Sequence, residues 1–111
     1  MTAYFLCNND DLIDNKTRSF TLDTEQGQLD LFLVKTDNIA YAYKNICPHL
    51  GIPLNWQPDE FLSMEETHIQ CSTHGALFTL ENGHCIAGPC SGNKLEKLAL
   101  EYRDNQIWLQ L

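Results

Sequence analysis

Two short stretches each pair a cysteine with a histidine. Residues 45–51, NICPHLG, place Cys47 and His49 two positions apart. Residues 70–78, QCSTHGALF, place Cys71 and His74 three positions apart. Thiolate sulfur and imidazole nitrogen are both metal donors, so four such side chains on two turns can complete the coordination of a metal site. Pro48 and Gly51 surround the first pair and Gly75 follows the second. Those are turn formers, which set both pairs at loop tips rather than inside strands.

Three readings of these residues compete. In the first they are buried thiols and scattered histidines, since free cysteine packs well in a core; loop tips seldom bury a thiol for packing alone. In the second they hold a structural zinc ion. Cys₂His₂ is a common zinc set, but its usual knuckle spaces two ligands two to four residues apart on one turn, commonly both cysteines. Cys47-Pro48-His49 leaves one residue between ligands, and each loop mixes the two donor types. In the third reading the loops hold a [2Fe–2S] cluster. The two irons lie side by side, and each loop reaches both, with its cysteine on one and its histidine on the other. That accounts for one donor of each type on each turn, and His₂ replacing Cys₂ on one iron is an attested ligand set.

Taken together, Cys47-Pro48-His49-Leu50-Gly51 and Cys71-Ser72-Thr73-His74-Gly75 resemble the paired motif of the Rieske family. The likeness continues into GALF at 75–78. It extends to GPCSG at 88–92, which resembles the proline-containing third loop that shields the cluster. The resemblance implies one [2Fe–2S] cluster per chain, with Cys47 and Cys71 on the inner iron. His49 and His74 would hold the outer iron, their imidazole edges near solvent. It also implies an all-β fold, a Rieske-like antiparallel β-sandwich carrying a small cluster-binding subdomain.

Departures from the family pattern carry expectations of their own. The gap between His49 and Cys71 is 21 residues, lengthened by WQPDEFLSMEE at 56–66. Members from respiratory cytochrome complexes have two further cysteines, at positions that here hold Ile52 and Thr73, so their loop-locking disulfide is absent. Those high-potential members also carry a serine and a tyrosine whose hydroxyls donate to cluster sulfurs; Ala76 and Phe78 stand there instead. Donors spread added negative charge and favour the reduced form. Their loss predicts a low potential.

The elements that must position these loops read as short strands. Tyr4 to Leu6 begins the first, and the polar run 8–15 around Leu12 and Ile13 suits a single helical turn. Ser19 to Leu22 suggests a second strand. QLDLFLV at 28–34 suggests a third, after the turn Glu25-Gln26-Gly27. Asp37-Asn38 is a turn signal, and Ile39 to Tyr43 alternates large and small side chains as a strand does. Residues 53–66 read as an irregular loop, and THIQC at 67–71 leads back into a strand. Leu77–Leu80, the turn Glu81-Asn82-Gly83 and His84–Ile86 read as a hairpin. Two strands over 96–102 and 106–110, joined at Asp104-Asn105, close the chain. Cys7 and Cys85 read as core thiols and Cys90 as a loop residue near the cluster, with a Cys85–Cys90 disulfide open. His68 and His84 read as strand-face residues. Trp108 reads as packing, and Trp56 as packing or a cover for the first loop.

Composition bounds the function. With 111 residues, one domain is expected over 1–111, its cluster-binding part about 45–92. The formal net charge is −8, with only 7 Lys plus Arg, against 15 Asp plus Glu. That argues against nucleic acid and against an anionic membrane as partners. The N-terminus lacks a basic segment followed by a long apolar run, so a cytoplasmic location is expected, where 5 cysteines are thiols or metal ligands. No nucleophile–base set, phosphate loop or dinucleotide fingerprint is present. The expected role is an electron-transfer protein, a ferredoxin that takes one electron from a reductase and delivers it to an oxygenase or similar oxidoreductase. The first alternative is the small subunit of an NADH-dependent nitrite reductase. The second is a structural zinc module. Leu50, Ile52, Pro53, Ala76, Leu77 and Pro89 are expected to form an apolar docking rim around exposed imidazoles.

Overall fold

The computed structural model describes residues 3–14, 16–25, 27–46, 62, 68–71, 76–88 and 94–111. Nine strands follow in order: β1 (Ala3–Asn8), β2 (Lys16–Thr24), β3 (Gly27–Thr36), β4 (Ile39–Lys44), β5 (Ile69–Gln70), β6 (Leu77–Phe78), β7 (Cys85–Ala87), β8 (Lys97–Arg103) and β9 (Gln106–Gln110). A single 3₁₀ turn, Asn9–Asp11, follows β1 where the polar run predicted one helical turn. It is held from below by Lys35, whose Nζ donates to the carbonyls of Asn9 and Leu12 at 3.3 and 3.4 Å.

All pairings among the described residues are antiparallel and form two sheets. One has six strands in the order β1-β9-β8-β4-β3-β2; the other has three, β5-β6-β7. Two of the tight turns were legible as Asp-Asn pairs. Asp37 and Asn38 have φ of 52° and 62°, and Asp104 and Asn105 have 48° and 66°. Two successive residues of positive φ make a turn whose twist matches the flanking strands, and Asp and Asn tolerate that conformation better than other residues with a Cβ.

The run Leu31-Phe32-Leu33-Val34 is buried throughout because β3 is covered on both faces. Leu31 and Leu33 join Ala42, Ile107, Leu109 and Cys7 in one core. Phe32 and Val34 point the other way and join Tyr43, Ile69, Phe78 and Leu95 in a second core, which includes residues from all three strands of the small sheet. Side chains alternate across a strand, so one strand serves two cores only when both of its residue sets are apolar.

Several boundaries differ from expectation, most by a residue or two; β2, β6 and β7 differ for reasons visible in their bonds. β2 begins at Lys16, three residues before the predicted start, as its pairing with β3 continues to Lys16↔Lys35. β6 ends at Phe78 rather than Leu80. The Thr79 carbonyl accepts from the Gly83 N–H at 3.0 Å and the Leu80 carbonyl from the Tyr43 hydroxyl at 2.7 Å, so 79–83 closes as a turn. The return strand is shifted to Cys85–Ala87, and His84 forms an isolated bridge with Lys94. Of the predicted irregular stretch 53–66 only Leu62 is described, and it bridges to Ile69.

Candidate metal centre

Cys71 directly follows β5. Ile69 pairs with Phe78 and Gln70 with Leu77, so Cys71 and Ala76 are the next pair along the ladder. The Cys71 N–H donates to the Ala76 carbonyl at 2.9 Å. That bond closes the neck of the loop in which His74 lies in sequence. Both residues are fully buried, in the core that also holds Ile69, Phe78 and Cys85. Cys47, His49 and His74 lie outside the described residues, as do Leu50, Ile52, Pro53, Trp56, Thr73, Pro89 and Cys90.

The lead-in to Cys47 is fixed by the large sheet. After β4 the Asn45 N–H donates to the Asp30 carbonyl at 3.0 Å and the Ile46 N–H to the Lys44 carbonyl at 2.9 Å. Tyr43, four residues before Cys47, is fully buried, and its hydroxyl bond to Leu80 reaches from β4 to the turn after β6. Burial, then the nearby Tyr41 and Glu81, push the Tyr43 phenol well above its ordinary value, so it stays a neutral donor. Gly83 packs against the same ring: a Cβ there would come 2.8 Å from the Tyr43 Cε1.

The start of the third loop is seated as tightly. Gly88 has φ +100°, and a Cβ on it would meet the Ala76 Cα at 2.7 Å and its Cβ at 3.0 Å. No side chain fits between the two backbones, so residue 88 lies directly against the neck closed by Cys71 and Ala76. Sequence reading missed Tyr43 and Gly88 as determinants of the site. For Gly88 the signal was the Gly-Pro step; for Tyr43 none was available, since its partner is 37 residues away.

One expectation is corrected. Ala76 is fully buried and cannot line an exposed rim; it is the residue against which Gly88 packs. Leu77 is half-buried. Cys7 is buried in the other core, as read, with its thiol held above the ordinary value chiefly by burial. Cys85 is buried beside Cys71 in one core, and its Sγ lies 3.3 Å from the Ala87 carbonyl. His68 is half-buried just before β5, and His84 is exposed. Trp108 packs edge-on to Phe5, ring centroids 5.5 Å apart, under the Arg103 guanidinium at 4.9 Å. Among the described residues no three His, Cys, Asp or Glu side chains converge on a common point.

The model of the Rieske [2Fe–2S] domain matches residues 2–101. The chain belongs to the Rieske [2Fe–2S] family. It therefore binds one [2Fe–2S] cluster, and a buried Cys71 at a closed loop neck, with Gly88 packed against that neck, fits such a group. The all-β antiparallel sandwich agrees with the Rieske fold. The ferredoxin of carbazole 1,9a-dioxygenase from Nocardioides aromaticivorans IC177 superposes with a TM-score of 0.72 at 19% identity, over 98% of this chain and 97% of that one. A complex of reduced oxygenase and oxidized ferredoxin in carbazole 1,9a-dioxygenase contains a chain matched with a TM-score of 0.74 at 19% identity, over 96% of this chain and 91% of that one. Among curated proteins, the cholesterol 7-desaturase of Caenorhabditis elegans is 28% identical over 97 residues, which is 86% of this chain. The Rieske chain spans about a fifth of that protein, 21% of its length.

Proposed function

We propose that this chain is a one-electron carrier of the ferredoxin type, a single Rieske domain over residues 1–111. In this reading it accepts an electron from a reductase and delivers it to an oxygenase or similar redox enzyme. The observation that supports it is the likeness in fold to the ferredoxin of carbazole 1,9a-dioxygenase, matched over 98% of this chain and 97% of that one. When bound, the cluster supplies reversible one-electron chemistry.

The chain's own residues take the following roles. Cys47 and Cys71 would hold one iron of the cluster, and His49 and His74 the other. Cys71 is anchored by the bond of its N–H to Ala76, which resists reorganisation of the loop when charge is added. Ile69, Phe78, Leu80 and Leu95 keep water away from the buried side of that anchor. No helix among the described residues is long and apolar enough to cross a membrane.

Electron paramagnetic resonance of the dithionite-reduced protein tests the reading. The expected spectrum has the lower average g of a cluster with two imidazole ligands. An all-cysteine signal, or colourless protein without iron and acid-labile sulfide, overturns it. Rapid oxidation of the reduced chain by an oxygenase, without a further carrier, tests the role itself.

A further inference from the structure

The chain is strongly acidic, yet three of its seven Lys and Arg residues gather on one face. An open groove of about 380 Å³ is lined by Asn82, His84, Lys94, Leu95, Glu96 and Lys97. A second, of about 230 Å³, is lined by Lys44, Ile46, Lys94 and Glu96. They share Lys94 and Glu96 and so run together. One end lies at the β6–β7 turn; the other is at Ile46, the residue before Cys47 in the chain.

The charges along this groove are not balanced internally. Glu96 is the only acidic side chain lining it among the described residues, and it is engaged by Lys44 at 3.2 Å. Lys97 Nζ donates to the Glu81 carbonyl, an uncharged acceptor, at 3.1 Å and lies over the Tyr41 ring at 5.0 Å, which holds the ammonium in place without neutralising it. Lys94 is exposed and forms no ion pair among the described residues. His84 and the Asn82 amide add further polar groups. The backbone is rigid here, because the Leu95 N–H donates to the Gly83 carbonyl at 2.8 Å and His84 bridges to Lys94.

We infer that this groove is the docking surface for a carboxylate-bearing loop of the redox partner. The inference rests on the electron-carrier reading and deepens it. Net charge governs attraction at a distance, but the field within a Debye length, about 10 Å at 0.1 M salt, is set by nearby groups. Among the described residues lining the groove those are Lys44, Lys94 and Lys97 against the one carboxylate of Glu96, with Glu81 beyond Lys97. The partner surface that fits is therefore acidic, opposite to what the net charge alone suggests.

The sign of a salt effect reads this local charge. Reduced holoprotein is mixed with hexacyanoferrate(III), an anion that takes one electron and becomes hexacyanoferrate(II). In parallel it is mixed with the cation tris(phenanthroline)cobalt(III), which becomes the cobalt(II) complex. A basic face predicts that oxidation by the anion slows roughly threefold as salt rises from about 0.01 M to about 1 M. Lys94→Gln with Lys97→Gln should erase most of that slope. Lys16→Gln, at the opposite end of the large sheet, should leave the slope unchanged although it also removes a positive charge. Lys94→Gln alone, at an exposed position, guards against a folding defect.

A readout independent of the cluster is the anisotropy of a dye-labelled hexaglutamate peptide. It should rise with added wild-type protein at low salt and stay flat with the Lys94→Gln, Lys97→Gln variant. Salt acceleration of the anionic oxidant in the wild type, or equal peptide binding by wild type and variant, overturns the groove. Failure of both oxidants to react sinks the electron-carrier reading instead, and the peptide still decides the groove.

Discussion

The Tyr43 hydroxyl donates to the Leu80 carbonyl at 2.7 Å, joining β4 to the turn between β6 and β7. Cys47 follows β4 in the chain and Cys71 precedes β6, so this bond ties together the two segments that carry the proposed ligand loops. Tyr43→Phe leaves a buried carbonyl without its donor, at a cost of about 1–3 kcal/mol. Urea denaturation should show a lower midpoint with an unchanged slope. The raised phenol pKa adds a pH signature. The folded state holds the proton more tightly than the unfolded state, whose tyrosine titrates near the ordinary 10.0. Its contribution is complete below that pH and is lost as pH climbs above it. Stability of the wild type should fall more steeply than that of Tyr43→Phe in this alkaline range.

Two glycines separate backbone strain from close contact. Gly27 has φ +111° with nothing within 4 Å of a Cβ placed on it, whereas Gly88 has φ +100° and the Ala76 backbone at 2.7 Å. Gly27→Ala should cost only the strain, about 1–3 kcal/mol. Gly88→Ala should cost more in thermal stability, because the Cys71–Ala76 neck must move as well. It should also lower iron and acid-labile sulfide per chain, which Gly27→Ala should not.

The proposed ligand set is tested one histidine at a time. His49→Ala and His74→Ala should each abolish the visible absorption and the bound iron. His68→Ala and His84→Ala should retain both. Bleaching by His68→Ala would show that the assignment of the outer iron is wrong.

Ala76 and Phe78 are fully buried and carry no hydroxyl to donate. The expected midpoint is negative, toward the end of the Rieske range near about −150 mV. A spectroelectrochemical titration that returns a clearly positive midpoint overturns this expectation.

Much of the architecture could be read from the chain because its signals are local. Asp37-Asn38 and Asp104-Asn105 announce their turns by residue type, and QLDLFLV at 28–34 announces a strand, though that Leu31 to Val34 is buried on both faces emerges only in the fold. The cysteine and histidine spacings announce the family. Long-range partners are not local. Leu80 looked like the last residue of a strand until the Tyr43 hydroxyl claimed its carbonyl. Ala76 looked like part of a rim because it adjoins a loop, but the close seat of Gly88 covers it. The basic groove is also a product of folding, since Lys44 lies fifty residues from Lys94 in sequence and both line one depression.

Strands β4 and β8 are neighbours, with Tyr43 opposite Lys97 and the Lys44 N–H donating to the Glu96 carbonyl at 3.0 Å. Residues 45–96 thus leave the six-stranded sheet and come back to it at adjoining positions, as one long excursion from a hairpin. That excursion is also a lid: it brings Ile69, Phe78 and Leu95 down onto Phe32, Val34 and Tyr43. A short turn spliced between Lys44 and Lys97 would bare one whole apolar face of the sheet, so the part that carries the ligands and the part that carries the scaffold stand or fall together.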